Sequence, residues 1–538
     1  MAITTNFKNI RDIIEFSAKQ YENNLAFKLK NRINGKVSYD DITFKRLSEE
    51  VVAFSKYLLA NGYQNKRIAV IGKNCYDWML VYFSVLCTGS VIVPLDKGLL
   101  PFEIKEQLER SEADMVFYAD HLEESFKDIN NIPKIMLESP EFKDILKTGY
   151  SLTNDDEYEN IKIDNEKMSI LIFTSGTTQK SKAVMLSQKN FATNVNSMNL
   201  WEDLYPTDVS IALLPFHHAF GMTQTLLFAS CGICTVFPEG LRIAKALVEY
   251  KVSVLVGVPL IFESMKKIIT KEVHKLGMEK KLNFGKKLSG FLRIFKIDIR
   301  RKLFKTVIDK LGGKLRLIIS GAAAIKPETA KWYNDLGITL IQGYGLSETA
   351  PVLAAENPEH MRLGSIGFAI PGVEIKIDTP DENGIGELIA KGDNVMLGYY
   401  KDEENTNAVL HNGWFSTGDM AYIDKDGYIF ITGRKKNVIV LANGKNVFPE
   451  ETEELLLDAD IIKECIVYNK KNNGKDFLCA KIVYDTDVEE NEENARKLVE
   501  EHIKAVNSKL IRYKQIMDFD LSSEEMEKTT TGKIKRHL

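Results

Sequence analysis

The sequence predicts an α/β fold followed by a smaller α+β unit. Three observations carry this. Before about Gly364, short apolar strands alternate with helical segments, the pattern of parallel sheets joined through helical crossovers. Beyond it, short strands are joined by tight turns, as in antiparallel structure. After Gly433-Arg434 the chain starts afresh, and its last roughly 100 residues read as a self-contained unit.

Taken in order, Ile42 to Gly62 is predicted as a helix. Leu47, Val51, Phe54 and Leu58 share one face, and Asn61-Gly62 supplies a stop. A strand from Ile68 to Ile71, a helix from about Tyr76 to Cys87 and a strand from Val91 to Leu95 follow, the spacing of a right-handed crossover. Val252 to Val258 and Leu315 to Ile319 read as further buried strands. Pro327 suits the first turn of a helix over Glu328 to Asn334. Asp381-Glu382-Asn383-Gly384 and Asp424-Lys425-Asp426-Gly427 read as hairpin turns. The last unit reads as a helix (Pro449 to Leu457), a strand (Ile462 to Tyr468), an Asn473-Gly474 turn, a strand (Phe477 to Tyr484) and a long helix (Glu489 to Leu510).

Composition bounds the function. The chain has 538 residues, which at roughly 150 residues per domain predicts three to four domain-sized units. Apolar residues at 44% and charged residues at 27% describe a globular chain. A net charge of −4 argues against a dedicated nucleic-acid binder. The longest apolar stretch, Trp78 to Leu95, is broken by Thr88-Gly89-Ser90, so no membrane span is predicted. The start, MAITTNFKNIRD, has no apolar core behind a basic cap, so no signal peptide is predicted. Six cysteines are too few for a disulfide scaffold and are expected as free thiols in a reducing cytosol.

The strongest local signal is a hydrophobic strand from Ile170 running into Thr174-Ser175-Gly176-Thr177-Thr178, with Lys182 just beyond. Hydroxyls and exposed backbone N–H groups are donors suited to phosphate oxygens, and a glycine lets the backbone approach closely. It is not a Walker loop, because GxxxxGK[ST] is absent. Three further segments follow: Gln342-Gly343-Tyr344-Gly345-Leu346-Ser347-Glu348-Thr349, Gly413 to Gly418-Asp419, and Gly433-Arg434-Lys435-Lys436 followed by Gly444-Lys445-Asn446. The tail carries Lys528-Thr529-Thr530-Thr531-Gly532-Lys533-Ile534-Lys535-Arg536.

In this order and spacing the set resembles the adenylate-forming enzymes: acyl- and aryl-CoA synthetases, peptide-synthetase adenylation domains and firefly luciferase. The resemblance covers essentially the whole chain, from Ser38-Tyr39 onward. It implies a large N-terminal adenylation domain (1–432) of stacked, helix-covered sheets. A distorted, hairpin-rich β-barrel subdomain would occupy about 364–432, a hinge 433–436, and a small mobile α+β domain 437–538. The segments from Arg300 to Ala324 and from Asn443 to Glu450 look most like bacterial long-chain fatty acyl-CoA synthetases.

The resemblance also implies roles. Thr174, Ser175, Gly176, Thr177, Thr178 and Lys182 would lie over the β- and γ-phosphates of ATP. Tyr344, beside Gly343, would stack on adenine. Thr349 would bond the α-phosphate. Glu348, with Thr174, would hold Mg²⁺, a hard cation suited to one or two carboxylates plus phosphates and waters. Asp419 would accept from both ribose hydroxyls, and Arg434 would add a ribose contact. Lys533 would reach the α-phosphate and the carboxylate. His218 and Gly321 would border the acyl pocket. Lys436 matches the hinge, and Gly444 and Lys445 belong to the loop that helps form the coenzyme A tunnel. Physical need agrees with this list: a carboxylate must attack a phosphate, anion on anion, so the site must supply positive charge and in-line positioning. The sequence departs from the family's phosphate loop, TSGTTGxPKG, at Gln179, Ser181 and Ala183.

The expected function is an ATP-dependent ligase. It would activate a medium- to long-chain fatty acid as acyl-AMP and pass it to coenzyme A, releasing AMP and pyrophosphate. Two alternatives stay open: an acyl carrier protein as thiol acceptor, and a nucleotide- or acyl-binding sensor without catalysis. Lys266 to Arg316 holds 17 Lys or Arg against four Asp or Glu. Leu303, Phe304, Val307 and Leu311 read as one helical face within it. A basic amphipathic segment suits an anionic membrane surface; a solvated helical face is the other reading. A cytoplasmic protein with peripheral contact at the inner face of the membrane is therefore expected. Cys231-Gly232-Ile233-Cys234 is expected to be buried packing. His217 and His218, read as strand neighbours facing opposite ways, are not expected to bind metal.

Overall fold

The computed structural model describes residues 5–33, 36–153, 155–174, 181–238, 243–275, 277, 279–441, 445–472, 475–528 and 534–536. The chain forms two compact units. One comprises Met1–Thr174, Lys182–Ile375 and Ala390–Phe415; the other includes Lys376–Ile389 and Ser416–Leu538.

The first unit is built on three sheets. The largest has seven strands in the order Gly398–Tyr399, Lys182–Ser187, Met168–Thr174, Val91–Leu95, Arg67–Ile71, Met115–Tyr118, Lys134–Met136. From Met168–Thr174 to Lys134–Met136 the pairing is parallel. The other two strands add antiparallel. The helix Tyr76–Cys87 crosses between the strands Arg67–Ile71 and Val91–Leu95, as the spacing predicts. All its residues but Asp77 are buried, which is why it is apolar on every face. A second sheet runs parallel through Val254–Gly257, Leu317–Ser320 and Thr339–Gly345, then turns antiparallel through Val352–Ala355 and Phe368–Ala369. The third holds Lys36–Thr43, Leu25–Ile33, Cys234–Val236 and Val209–Ile211.

Two local readings change. The helix expected from Ile42 runs over Phe44–Ala60. Ile42 and Thr43 end a strand, and the Thr43 hydroxyl accepts from Arg46 N at 3.1 Å as the helix cap. The face expected from Leu303 to Leu311 is not a single outward one. Two short helices, Arg300–Leu303 and Lys305–Lys310, meet at Phe304. Phe304, Val307 and Leu311 are buried in a core with Phe262 and Ile269, and Leu303 faces solvent.

In the second unit the strands Trp414–Ile423 and Ile429–Arg434 pair antiparallel. The expected turn joins them, with Asp424 Oδ1 accepting from Asp426 N and Tyr428 N at 2.9 Å each. Further on, Ile462–Asn472 pairs antiparallel with Lys475–Tyr484. A strand the sequence reading missed, Ile516–Ser522, adds in parallel. The helices Pro449–Leu456 and Glu492–Asn507 send Leu456, Val499 and Ile503 into the core of this sheet.

All six cysteines are free. Cys231 is buried and Cys234 half-buried, and burial pushes both thiols up to about 12, as expected of packing rather than redox chemistry, although Cys234 is less enclosed than expected. Among the described residues, no helix is long and apolar enough to cross a membrane.

Candidate active site

Ser175, Gly176, Thr177, Thr178 and Gln179 lie outside the described residues. The chain on either side of them is paired: Thr174 faces Lys182 across the antiparallel strands, and Thr174 Oγ1 donates to Lys182 O at 3.3 Å. The Lys182 ammonium sits 4.6 Å from the centre of the Tyr399 ring, a cation–π distance. The Tyr399 hydroxyl donates to Glu348 Oε1 at 2.9 Å. Burial and then the Glu348 charge push the Tyr399 phenol up, so it stays protonated and keeps donating. Lys182, Tyr399 and Glu348 thus form one contiguous group.

The turn carrying Glu348 is fixed by its backbone. The strand Thr339–Gly345 leads into a single 3₁₀ turn, Ser347–Thr349. A side chain at Gly345 would put its Cβ 1.8 Å from Pro351 O, so only glycine permits this close approach. Glu348 O accepts from Met396 N at 2.8 Å. Thr349 is fully buried; its hydroxyl donates to Pro351 O and accepts from Leu346 N at 3.1 Å. Gly343 and Tyr344 pair with Ala355 and Ala354 on the next strand. Behind them Glu356 accepts from Gln342 N at 3.1 Å and Arg362 N at 2.9 Å. Burial pushes its carboxyl up to about 7 despite these bonds.

Gly321 meets Phe220, two residues after His218. A Cβ on Gly321 would come 2.7 Å from Phe220 Cε1, so the missing side chain is what admits the ring. His218 caps the helix Ala219–Ser230. Its ring lies 4.1 Å from that of His217. The two rings therefore touch across a turn instead of facing opposite ways on a strand. His217 Nε2 lies 3.6 Å from Asp96 Oδ2.

In the second unit Asp419 and Arg434 are cross-strand partners, with Arg434 Nε 2.8 Å from Asp419 Oδ1. Glu387 accepts from Gly418 N, just before Asp419, at 3.0 Å and from the Lys435 side chain, just after Arg434, at 2.6 Å. Lys436 lies in the turn Lys435–Asn437. Gly444 lies outside the described residues; Lys445 Nζ sits 4.4 Å from the centre of the Tyr513 ring. Lys533 also lies outside them. The chain on both sides of it is anchored: Lys528 bridges Ile534, Lys535 N donates to Glu527 O at 2.8 Å, and Arg536 Nη1 donates to Glu453 Oε1 at 2.8 Å. A second bond from Arg536 Nη2 to Glu453 Oε2 makes the pair bidentate.

Residues 14–400 match the AMP-binding enzyme family, and residues 436–538 match the AMP-binding enzyme C-terminal domain. The chain belongs to the AMP-binding enzyme family. Among its relatives is the long-chain-fatty-acid–CoA ligase FadD15 of Mycobacterium bovis, 25% identical over 93% of this chain and 90% of that protein. Another is the chloroplastic long-chain-fatty-acid–[acyl-carrier-protein] ligase AEE15 of Arabidopsis thaliana, 25% identical over 86% of this chain and 75% of that protein. The fold matches the crystal structure of ATP-bound MatB from Rhodopseudomonas palustris with a TM-score of 0.77, at 21% identity, over 98% of this chain and 97% of that one.

Sequence reasoning missed Tyr399 and Glu356, and it included Arg536 in the tail motif without giving it a role. Tyr399 is 51 residues from Glu348 and stands in no phosphate-binding pattern. The Gly345 contact with Pro351 was within reach, since the glycines alternate around Tyr344.

Proposed function

We propose that the chain is an AMP-forming acid–thiol ligase acting on medium- to long-chain fatty acids. A carboxylate attacks the α-phosphorus of ATP and expels pyrophosphate. The thiol of coenzyme A then attacks the acyl carbon and expels AMP. The observation that carries this reading is the contiguous group of Lys182, Tyr399 and Glu348: the cation stands at one of the two paired strand ends, Thr174 and Lys182, and Tyr399 links it to the carboxylate. The names of the FadD15 and AEE15 relatives support the acid class.

Lys182 and the Thr174–Thr178 segment hold the terminal phosphates of ATP. Glu348 fits a divalent ion: Tyr399 engages Oε1, and Oε2 carries no bond among the described residues. Glu348 and Thr174 would hold Mg²⁺, which would supply positive charge to the phosphate oxygens. Tyr344 and Gly343 face adenine, and Asp419, steadied by Arg434, holds the ribose. Lys533 serves the α-phosphate and offsets charge as the new bond forms, while Thr349, its buried hydroxyl engaged by Leu346 and Pro351, holds the turn that carries Glu348. His218 and Gly321 border the acyl chain. Residues 437–538, within the span 436–538 matched by the C-terminal family domain, swing about Lys436 to exchange Lys533 for the Gly444–Lys445 loop. The protein is cytoplasmic, with peripheral contact at an anionic membrane.

A carrier protein's phosphopantetheine thiol is the second reading for the acceptor, favoured by the AEE15 relative. Exchange of labelled pyrophosphate into ATP across a panel of acids tests the first step. Fastest exchange with decanoate to palmitate is expected; fastest exchange with acetate or benzoate rejects the acid class, and none with any acid rejects the ligase. Thioester formation with coenzyme A against carrier protein then separates the acceptors.

A further inference from the structure

We propose that the outward face of the helix Glu279–Ile294, with the turn after it, is a docking surface for an anionic lipid bilayer. The proposal rests on the fatty-acid reading for its purpose and gives the membrane contact an address. This helix is apolar on its solvent side. Phe284, Leu288, Phe291 and Phe295 repeat at intervals of four, three and four residues and so form one stripe. The three phenylalanines are 68%, 58% and 60% exposed, and Ile294 beside them is 75% exposed. The buried side carries the small residues Gly285 and Ser289. An ordinary surface helix buries its large apolar groups, and a contiguous exposed stripe of this kind marks an interaction site. The Phe291 and Phe295 rings pack edge to face, 5.4 Å apart, in the open.

Charge chooses the occupant. Lys280, Lys281, Lys287 and Lys296 flank the stripe and carry no ion pair among the described residues. Residues 266–316 hold net charge +13 by the counts above, in a chain of −4. Phenylalanines bordered by lysines suit the interfacial zone of an anionic bilayer, where apolar burial and headgroup attraction act together. A second copy of the same face would bring like charges together, which disfavours self-association. Beside the stripe lies an apolar cavity of about 340 Å³, walled by Phe284, Leu288, Leu303 and Phe304. Its apolar walls continue the stripe, and an acyl tail lifted from the bilayer would meet apolar surface there.

Co-sedimentation of the full chain with sucrose-loaded vesicles tests this. Binding is expected to vesicles of equal parts phosphatidylglycerol and phosphatidylcholine, to be lost on phosphatidylcholine alone, and to weaken steeply with salt. Phe291→Ser/Phe295→Ser and Lys280→Glu/Lys287→Glu should each lower it at least tenfold. Pyrophosphate exchange with a dissolved acid, measured without vesicles, should stay within twofold and so report intact folding. If one double variant loses exchange, the other and the salt series decide. Equal binding by wild type and a folded variant, no wild-type binding, or a lipid-free dimer that either variant breaks would each overturn the proposal. Absence of exchange in the wild type would instead sink the ligase reading and leave the docking result standing.

Discussion

The Tyr399 hydroxyl donates to Glu348 Oε1 at 2.9 Å while the ring of the same tyrosine receives the Lys182 ammonium at 4.6 Å. One residue outside every phosphate-binding motif thus ties together the two that the chemistry needs. Tyr399→Phe keeps the ring and removes the donor. A hydrogen bond to a charged group contributes about 1.5–3 kcal/mol. Pyrophosphate exchange is therefore expected to fall about tenfold or more, with the half-saturating Mg²⁺ concentration raised. An unchanged rate and Mg²⁺ dependence would make Tyr399 a packing residue.

Asp419 is nearly buried and is paired with the half-exposed Arg434. Asp419→Ala removes the proposed ribose acceptor and frees the arginine. The KM for ATP should rise at least tenfold while the KM for the acid holds. Equal rises in both would point to a folding defect.

The bidentate pair Arg536–Glu453 fastens the chain three residues beyond Lys533 to the helix Pro449–Leu456. Arg536→Met leaves a buried carboxylate without its cation, which costs about 3–5 kcal/mol in comparable cases. A lower melting temperature is expected, together with a larger loss in acyl-AMP formation than in thioester formation from supplied acyl-AMP. Equal losses would show that the anchor serves stability alone.

Glu356 gives a pH signature. Its carboxyl is pushed up to about 7 by burial in the folded chain and titrates near 4.3 when unfolded. The folded state holds the extra proton between those values. Its contribution to stability is fully present below the unfolded value and is lost as pH rises through about 7. Wild type should lose roughly 3 kcal/mol between pH 5 and 8 relative to Glu356→Gln, read by denaturant unfolding at each pH. Parallel profiles for the two proteins would contradict this.

The local order of the fold was legible where side chains punctuate it. Tyr76–Cys87 and Val91–Leu95 fall where periodicity and the Thr88-Gly89-Ser90 break place them. Thr43 was misjudged because a helix cap and a strand end wear the same residue type. Periodicity ran over Leu303 to Leu311 without seeing that Phe304 ends one helix and starts another, and burial there is set by distant residues such as Phe262. The same limit hid the stripe from Phe284 to Phe295, since sequence spacing finds a face but not the side on which the core lies. In the site, Glu348, Asp419 and Arg434 were legible as motif positions. Tyr399 was not, because sheet pairing rather than chain proximity delivers it: Gly398–Tyr399 pairs with Val184 and Met185.

In the proposed reaction a cation from the tail, Lys533, neutralises two anions as they couple. The direct measurement is acyl-AMP formation by Lys533→Ala, in single turnover with ATP and a long-chain acid, beside thioester formation from supplied acyl-AMP. A loss of about a hundredfold or more is expected in the first, with the second within a few-fold of wild type. Undiminished acyl-AMP formation would contradict it.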